Sequence, residues 1–289
     1  MTSTLPGGTF TLFDDVVVPR FGYGAMQLAG PLVLGPPADP AQAVRVLREA
    51  VALGITHVDT ADAYGPHVTN RLIRQALHPY DGAVHVVTKV GSLRDDDGGW
   101  PPARSPDQLR EAVRSNLDTL GLDVLDVVNL RVGGPTGPED GSLEEAFTAL
   151  AELQQAGLVR HLGVSNVTSE QIAEARALAP VVCVQNAYNL AHRADDHLVD
   201  ELADAGIAYV PFFPLGGFSP LQAGALTTVA SRLRSTPMGV ALAWLLHRSP
   251  NILLIPGTSS VEHLRENVAQ AGVSLSATDL AELDGIAGV

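Results

Sequence analysis

Apolar and polar positions alternate along the chain in two different rhythms. Short apolar runs of strand length recur as "RFGYGAMQL", "ITHVDT", "VHVVTKV", "LDVVNLR", "RHLGVSN", "VVCVQN", "AYVPFF" and "ILLIPG". Between them lie longer stretches with apolar residues at helical spacing, among them "PAQAVRVLREAVALG", "SPDQLREAVRSNLDTLG", "SLEEAFTALAELQQAG" and "TSEQIAEARALA". Several of these open after Ser, Thr or Pro and close at Gly, as helix caps require. Eight strands linked by helical crossovers predict an α/β fold of the (β/α)8 TIM-barrel type. The segment "TFTLFDDVVVP" ahead of the first strand reads as a β-hairpin closing the barrel bottom. No repeat and no linker divides the chain, so residues 1–289 are expected to form a single barrel domain. A doubly wound sheet is the competing fold, but "GYGAMQLAG" is not the glycine fingerprint of a dinucleotide-binding turn.

Composition narrows the functional classes. The 289 residues are 46% hydrophobic and 17% charged, a globular composition with a net charge of −14. That charge argues against nucleic acid and anionic membrane surfaces as partners. No apolar run is long enough to cross a bilayer and no secretory signal is visible. The lone cysteine, Cys183, reads as a small core residue, and a cytoplasmic setting fits. Nothing points to an obligate protein partner. The nine histidines show no metal-type pairing at a strand end, so no metal is expected.

Gly/Pro-rich stretches follow the first, third and fourth strands, which assigns them to the face where barrel enzymes keep their chemistry. The strand ends on that face offer Asp59, Lys89, Arg131, Ser165 with Asn166, and Gln185, and Tyr64 follows Asp59 in "DTADAYG". Of 18 Lys plus Arg, Lys89 alone is lysine. A lone lysine ending a buried strand suggests that a compact amine is needed there, although a structural pair with Asp59 is the simpler alternative. Asp, Tyr and Lys together make a proton donor: an ammonium favours the phenolate, and a carboxylate keeps the ammonium charged. Arg131, ending "VVNLR", is a cation that cannot give up its proton. It suits a substrate oxygen, and a salt bridge to a loop acid such as Asp140 is the plain alternative.

With "VDTADAYG", the strand ending in Lys89, "GVSN", "VQNAYN" and "IPGTSSVEHLREN" in order, the chain resembles the aldo-keto reductase family. The resemblance implies a (β/α)8 barrel that reduces carbonyls with a nicotinamide cofactor, NADPH/NADP. Tyr64 would then be the general acid tuned by Lys89 and Asp59, with Arg131 standing where most members carry a histidine. Ser165, Asn166 and Gln185 would hold the nicotinamide carboxamide, and Phe212 would stack on its ring, unless it is a core residue. Thr258, Ser259, His263, Glu266 and Asn267 would embrace the adenosine end, where the same stretch also reads as an ordinary helix opened by Ser260. A lysine common near the start of this loop is replaced by Gly257, and an arginine that grips the 2′-phosphate by His263, with Arg265 nearby. NADPH is therefore expected with modest discrimination.

Stretches such as "GYGAMQLAGP", "LDVLDVVNLR" and "YVPFFPLGGFSPLQ" are similar to pyridoxal-reducing bacterial members, which implies a small-molecule aldehyde, pyridoxal, as substrate. Trp100, His67 and Phe218 are candidates for lining a flat aromatic pocket. Other aromatic aldehydes or ketones stay open as substrates. So do two readings of other classes: a cofactor-binding regulatory subunit, and a barrel hydrolase or isomerase with paired carboxylates.

Overall fold

A computed structural model describes residues 5–13, 16–80, 82, 84–134, 137–214 and 224–286. Two strands, β1 (Thr9–Phe13) and β2 (Val16–Pro19), pair antiparallel. Seven more form one parallel sheet in chain order: β3 (Tyr23–Gly24), β4 (His57–Asp59), β5 (His85–Val90), β6 (Leu125–Arg131), β7 (Val159–Ser165), β8 (Val181–Gln185) and β9 (Ala208–Tyr209). The sheet curls until its edges meet across residues 252–254. Tyr209 N donates to Asn251 O (2.9 Å) and Leu253 N to Tyr209 O (2.9 Å) on one side. Leu254 N donates to Arg20 O (2.8 Å) and Gly22 N to Leu254 O (2.7 Å) on the other.

The first expected strand, 20–28, is shorter than its apolar run. Ala25 N donates to Asp59 O and takes a right-handed helical conformation, and Met26–Leu28 becomes a 3₁₀ turn. Glycine is required just before that turn, because a Cβ on Gly24 would lie 2.5 Å from Ile255 O. The last run, 252–257, likewise appears as isolated bridges to Phe21 and Tyr209 rather than a full ladder.

Helices occupy the crossovers: α1 (Pro40–Ala52), α2 (Val68–Leu77), α3 (Pro106–Leu120), α4 (Glu144–Gln155), α5 (Ser169–Leu178) and α6 (Asp196–Asp204), then α7 (Gly224–Leu233), α8 (Pro237–Arg248), α9 (Val261–Gln270) and α10 (Ala277–Asp284). Local chemistry sets their ends. Ser105 with Gln108 and Thr168 with Gln171 form reciprocal capping boxes at α3 and α5. Gly121 ends α3 at φ 70°, a left-handed conformation glycine adopts without penalty. α4 starts at Glu144, one residue later than a Ser142 cap would set it; Leu143 is the N-cap, and the Ser142 hydroxyl accepts from Glu144 N. None of these helices is long and apolar enough to cross a membrane.

Inward-facing Val87, Val127, Cys183, Val210 and Leu253 cluster with Leu12, Phe13 and Val18 of the β1–β2 pair. Phe13 also stacks on His161 at 3.8 Å between centroids, near the start of β7. Cys183 is buried and free, and burial raises its thiol to about 12.

One core residue is chemically costly. His57, on β4, is 1% exposed, and neither ring nitrogen has a hydrogen-bond partner among the described residues. Burial pushes its imidazole from 6.5 down to about 4. The folded protein therefore binds fewer protons than the unfolded chain between those values, and stability falls as pH drops through that window, by ~3 kcal/mol at its foot. Denaturant titrations from pH 7 to pH 4 should show this loss reduced in His57→Leu; identical acid losses in both proteins would assign the destabilisation to other groups.

Candidate active site

Parallel pairing gathers the polar strand ends at one end of the sheet. β3 and β4 align Gly24 with Asp59; β5 and β6 align Lys89 with Asn129; β6, β7 and β8 align Arg131, Ser165 and Gln185. Lys89 Nζ donates to Asp59 Oδ1 (2.5 Å) and to Thr60 O (3.1 Å), and Gln185 Nε2 donates to Asp59 Oδ2 (2.8 Å). Both carboxylate oxygens are thus occupied in a site where Asp59 and Lys89 are nearly buried. Burial alone would pull the lysine down, but Asp59 and then Tyr64 overcome it, and the Lys89 pKa is raised.

Tyr64 sits 9% exposed in the loop after β4, and the Lys89 ammonium stands 5.3 Å from its ring centroid. Arg131 Nη1 donates to Ser165 Oγ (3.2 Å), and its guanidinium carbon lies 5.0 Å from the Phe212 ring centroid. Burial lowers the Arg131 pKa, opposed by Tyr64 and Asp59. The loop acids stand elsewhere: Asp140 is exposed, and neighbouring Glu139 pairs with Arg104 at 3.1 Å.

These groups surround a cavity of about 260 Å³, lined by Asp59, Tyr64, Lys89, Trp100, Arg131, Gln185 and Phe212 together with apolar residues including Met26, Met238 and Ile255. Among the described lining residues Asp59 is the one carboxylate, so a paired-acid hydrolase finds no second acid here.

Other expected residues lie off the cavity. His67 turns at φ 64° to place Nδ1 2.8 Å from Asp62 Oδ1, outside the lining. Asn166, at φ 59°, donates from Nδ2 to the carbonyls of Val132, Gly134 and Gly137. Phe218 lies outside the described residues.

Gly257 borders the cavity, and a Cβ there would stand 2.7 Å from Gly24 O. That close approach gives a steric reason for glycine at this position. Beyond it, Thr258 is buried, Ser259 exposed, and Ser260 caps α9 by accepting from His263 N (3.2 Å). His263 and Glu266 are exposed, Asn267 is buried, and Arg265 pairs with Glu49 at 2.7 Å. The sequence reading missed Asp62, which accepts from Ser115 Oγ (2.6 Å), Thr119 Oγ1 (3.1 Å) and Asn70 Nδ2 (3.2 Å). Its position two residues before Tyr64 in "DTADAYG" was the available signal.

A closed parallel barrel with a buried, ion-paired lysine beside a tyrosine at the carboxyl ends of its strands is a barrel enzyme. More narrowly, this chain belongs to the aldo/keto reductase family, whose family model matches residues 20–287. It is 62% identical over 284 residues to the pyridoxine 4-dehydrogenase of Escherichia coli (strain K12), covering 98% of this chain and 99% of that protein. Solved structures agree in fold. A thermostable aldo-keto reductase in complex with the inhibitor epalrestat is 29% identical, with a TM-score of 0.78 over 94% of this chain and 96% of its own. An aldo/keto reductase from Klebsiella pneumoniae in complex with NADP and acetate is 26% identical, with a TM-score of 0.79 over 96% and 94%.

The raised Lys89 pKa means that the charged pair stabilises the fold below lysine's ordinary value and loses that contribution only as pH rises through the raised one. Because Lys89 is the sole lysine, 15N-lysine labelling isolates its signal. It should titrate above the ordinary lysine value in the wild type and below it in Asp59→Asn, where burial acts without the carboxylate; an unmoved midpoint would show that Asp59 does not hold the charge.

Proposed function

We propose that this enzyme is an NADPH-dependent reductase of aldehydes, pyridoxal foremost, in which Tyr64 donates the proton. The Asp59–Lys89 pair beside Tyr64 carries the reading, in a chain 62% identical to a pyridoxine 4-dehydrogenase. The donor set fits a nicotinamide nucleotide. Gln185 gives its amide hydrogen to Asp59, which turns its oxygen into an acceptor for a carboxamide. Ser165 accepts from Arg131, so its own proton is available to donate. Phe212 offers an aromatic face on the cavity wall, and Asn166 braces the neighbouring loop. Thr258, Ser259, His263, Glu266 and Asn267 form the candidate adenosine end. Support for the phosphorylated cofactor comes from the NADP complex of the Klebsiella relative. When bound, the reduced nicotinamide supplies hydride.

This chain's residues handle the proton and the charge. As negative charge grows on the carbonyl oxygen, Tyr64 releases its proton to it, and the resulting phenolate faces the Lys89 ammonium. Asp59 and the Thr60 carbonyl hold that ammonium in place. Arg131 remains charged throughout and serves as a fixed hydrogen-bond donor. For pyridoxal it also suits the phenolate of the 3-hydroxyl beside the aldehyde. Two finer readings accompany this one: residues 1–289 act as one domain, and the β1–β2 hairpin closes the barrel bottom, supported by the packing of Phe13 on His161. A cytoplasmic site of action rests on the unpaired, buried Cys183.

NADPH oxidation against pyridoxal, with NADH compared, should show turnover that falls by about three orders of magnitude or more in Tyr64→Phe, with cofactor affinity nearly unchanged. Near-normal turnover in that variant would remove Tyr64 from the role. Arg131→His should keep activity on plain aromatic aldehydes and lose it on pyridoxal. Equal losses on both would confine Arg131 to the catalytic group or the fold.

A further inference from the structure

The loop after β5 folds back on itself. Leu93 N donates to Pro101 O (3.0 Å), Asp95 N to Gly99 O (3.3 Å), and Ser92 bridges Pro102 in antiparallel fashion. The flap so formed carries Trp100 to the cavity wall, where its ring meets Tyr64 edge-on at 6.3 Å and 87°. Arg94 lies against this indole, its guanidinium carbon 4.3 Å from the ring centroid. The same guanidinium donates to the Gly98 and Gly99 carbonyls within the flap, and to Leu32 O in the loop after β3.

That second loop is strained. Leu32 (φ 56°) and Val33 (φ 61°) both lie in the left-handed region, which is costly for a β-branched side chain. Such turns persist where their surroundings over-determine them. Here the Arg94 donation to the Leu32 carbonyl and the Gly30 N to Gly35 O bond (2.8 Å) do so. Arg94 therefore joins the loops after β3 and β5, on either side of the β4 loop that carries Tyr64.

We propose that Arg94 is a specificity-determining positioning residue: it latches the flap and holds the Trp100 indole as a fixed aromatic wall that selects flat aromatic aldehydes over small aliphatic ones. The substrate part of this proposal rests on the reductase reading above. Guanidinium is the group that can do both jobs at once. Its face stacks on the ring while the donors on its edge reach several carbonyls; an ammonium has no such plane.

The test compares Arg94→Leu and Arg94→Lys with the wild type on pyridoxal and propanal, and follows Trp100 emission and anisotropy as the difference from Trp100→Phe controls. In both variants the ratio of kcat/KM for pyridoxal over propanal should fall about tenfold, mainly through the KM for pyridoxal, with red-shifted, more mobile Trp100 emission. Equal losses on both aldehydes, or an unchanged ratio, would overturn the specificity role, whatever the emission does. An unchanged Trp100 signal would overturn the latch. A wild type that reduces no aromatic aldehyde would sink the functional reading and the specificity together, whereas a wild type active on pyridoxal with an unchanged ratio in the variants overturns the role of Arg94 alone.

Discussion

A positive charge buried at the end of a barrel strand is tolerable only where a carboxylate meets it, and the Asp59–Lys89 pair sets the terms for everything around it. Breaking such a pair by removing one partner costs on the order of 3–5 kcal/mol, because the survivor is left uncompensated. The geometry raises the stake further: Asp59 serves Lys89 and Gln185 with its two oxygens, and Lys89 also reaches the Thr60 carbonyl. The ends of adjacent β4 and β5 and of the more distant β8 are thereby tied through one carboxylate, so the pair acts as a frame for the site as well as a charge within it.

Tyr64 must keep its place over that frame although it belongs to a loop. Thr60 is bonded to Thr69 and Asn70 of α2, and Asn70 in turn donates to Asn116 and Thr119 of α3. Asp62 accepts from both helices and meets His67 at the head of α2. The loop is therefore fastened on both sides of Tyr64 by buried polar groups that satisfy one another. Such a network is rigid when complete and costly when broken, which suits the proton-donor role proposed for Tyr64.

How much of this was legible depended on whether the signal was local. Strand and helix periods, the capping pairs at α3 and α5, and the charges that end β4, β5 and β6 are visible within a few residues, and the single lysine advertised its own special place. Contacts made across long stretches of chain were not legible. Asp62 is completed by Ser115, 53 residues away, and Arg94 by Leu32, 62 residues away. Backbone conformation was not legible in two places. His67 and Asn166 lie beside site residues in sequence, but positive φ turns each side chain to another partner, Asp62 in one case and the loop carbonyls in the other. Strand ends shortened where glycines allow close approach, as Gly24 does against Ile255.

The balance of charge in the cavity is the last link from structure to chemistry. Among the described lining residues there are two cations, Lys89 and Arg131, and one carboxylate, Asp59. The carboxylate is fully engaged by Lys89 and Gln185, while Arg131 is held by a serine hydroxyl and an aromatic face, neither of which carries a charge. A chain of net charge −14 thus keeps a net positive point at the bottom of its cavity. Low dielectric strengthens that field compared with the surface, and it needs no reorganisation when charge appears. In the proposed reaction, an oxygen that becomes anionic during reduction would meet it directly, and a substrate with a second oxyanion beside its aldehyde would meet it twice.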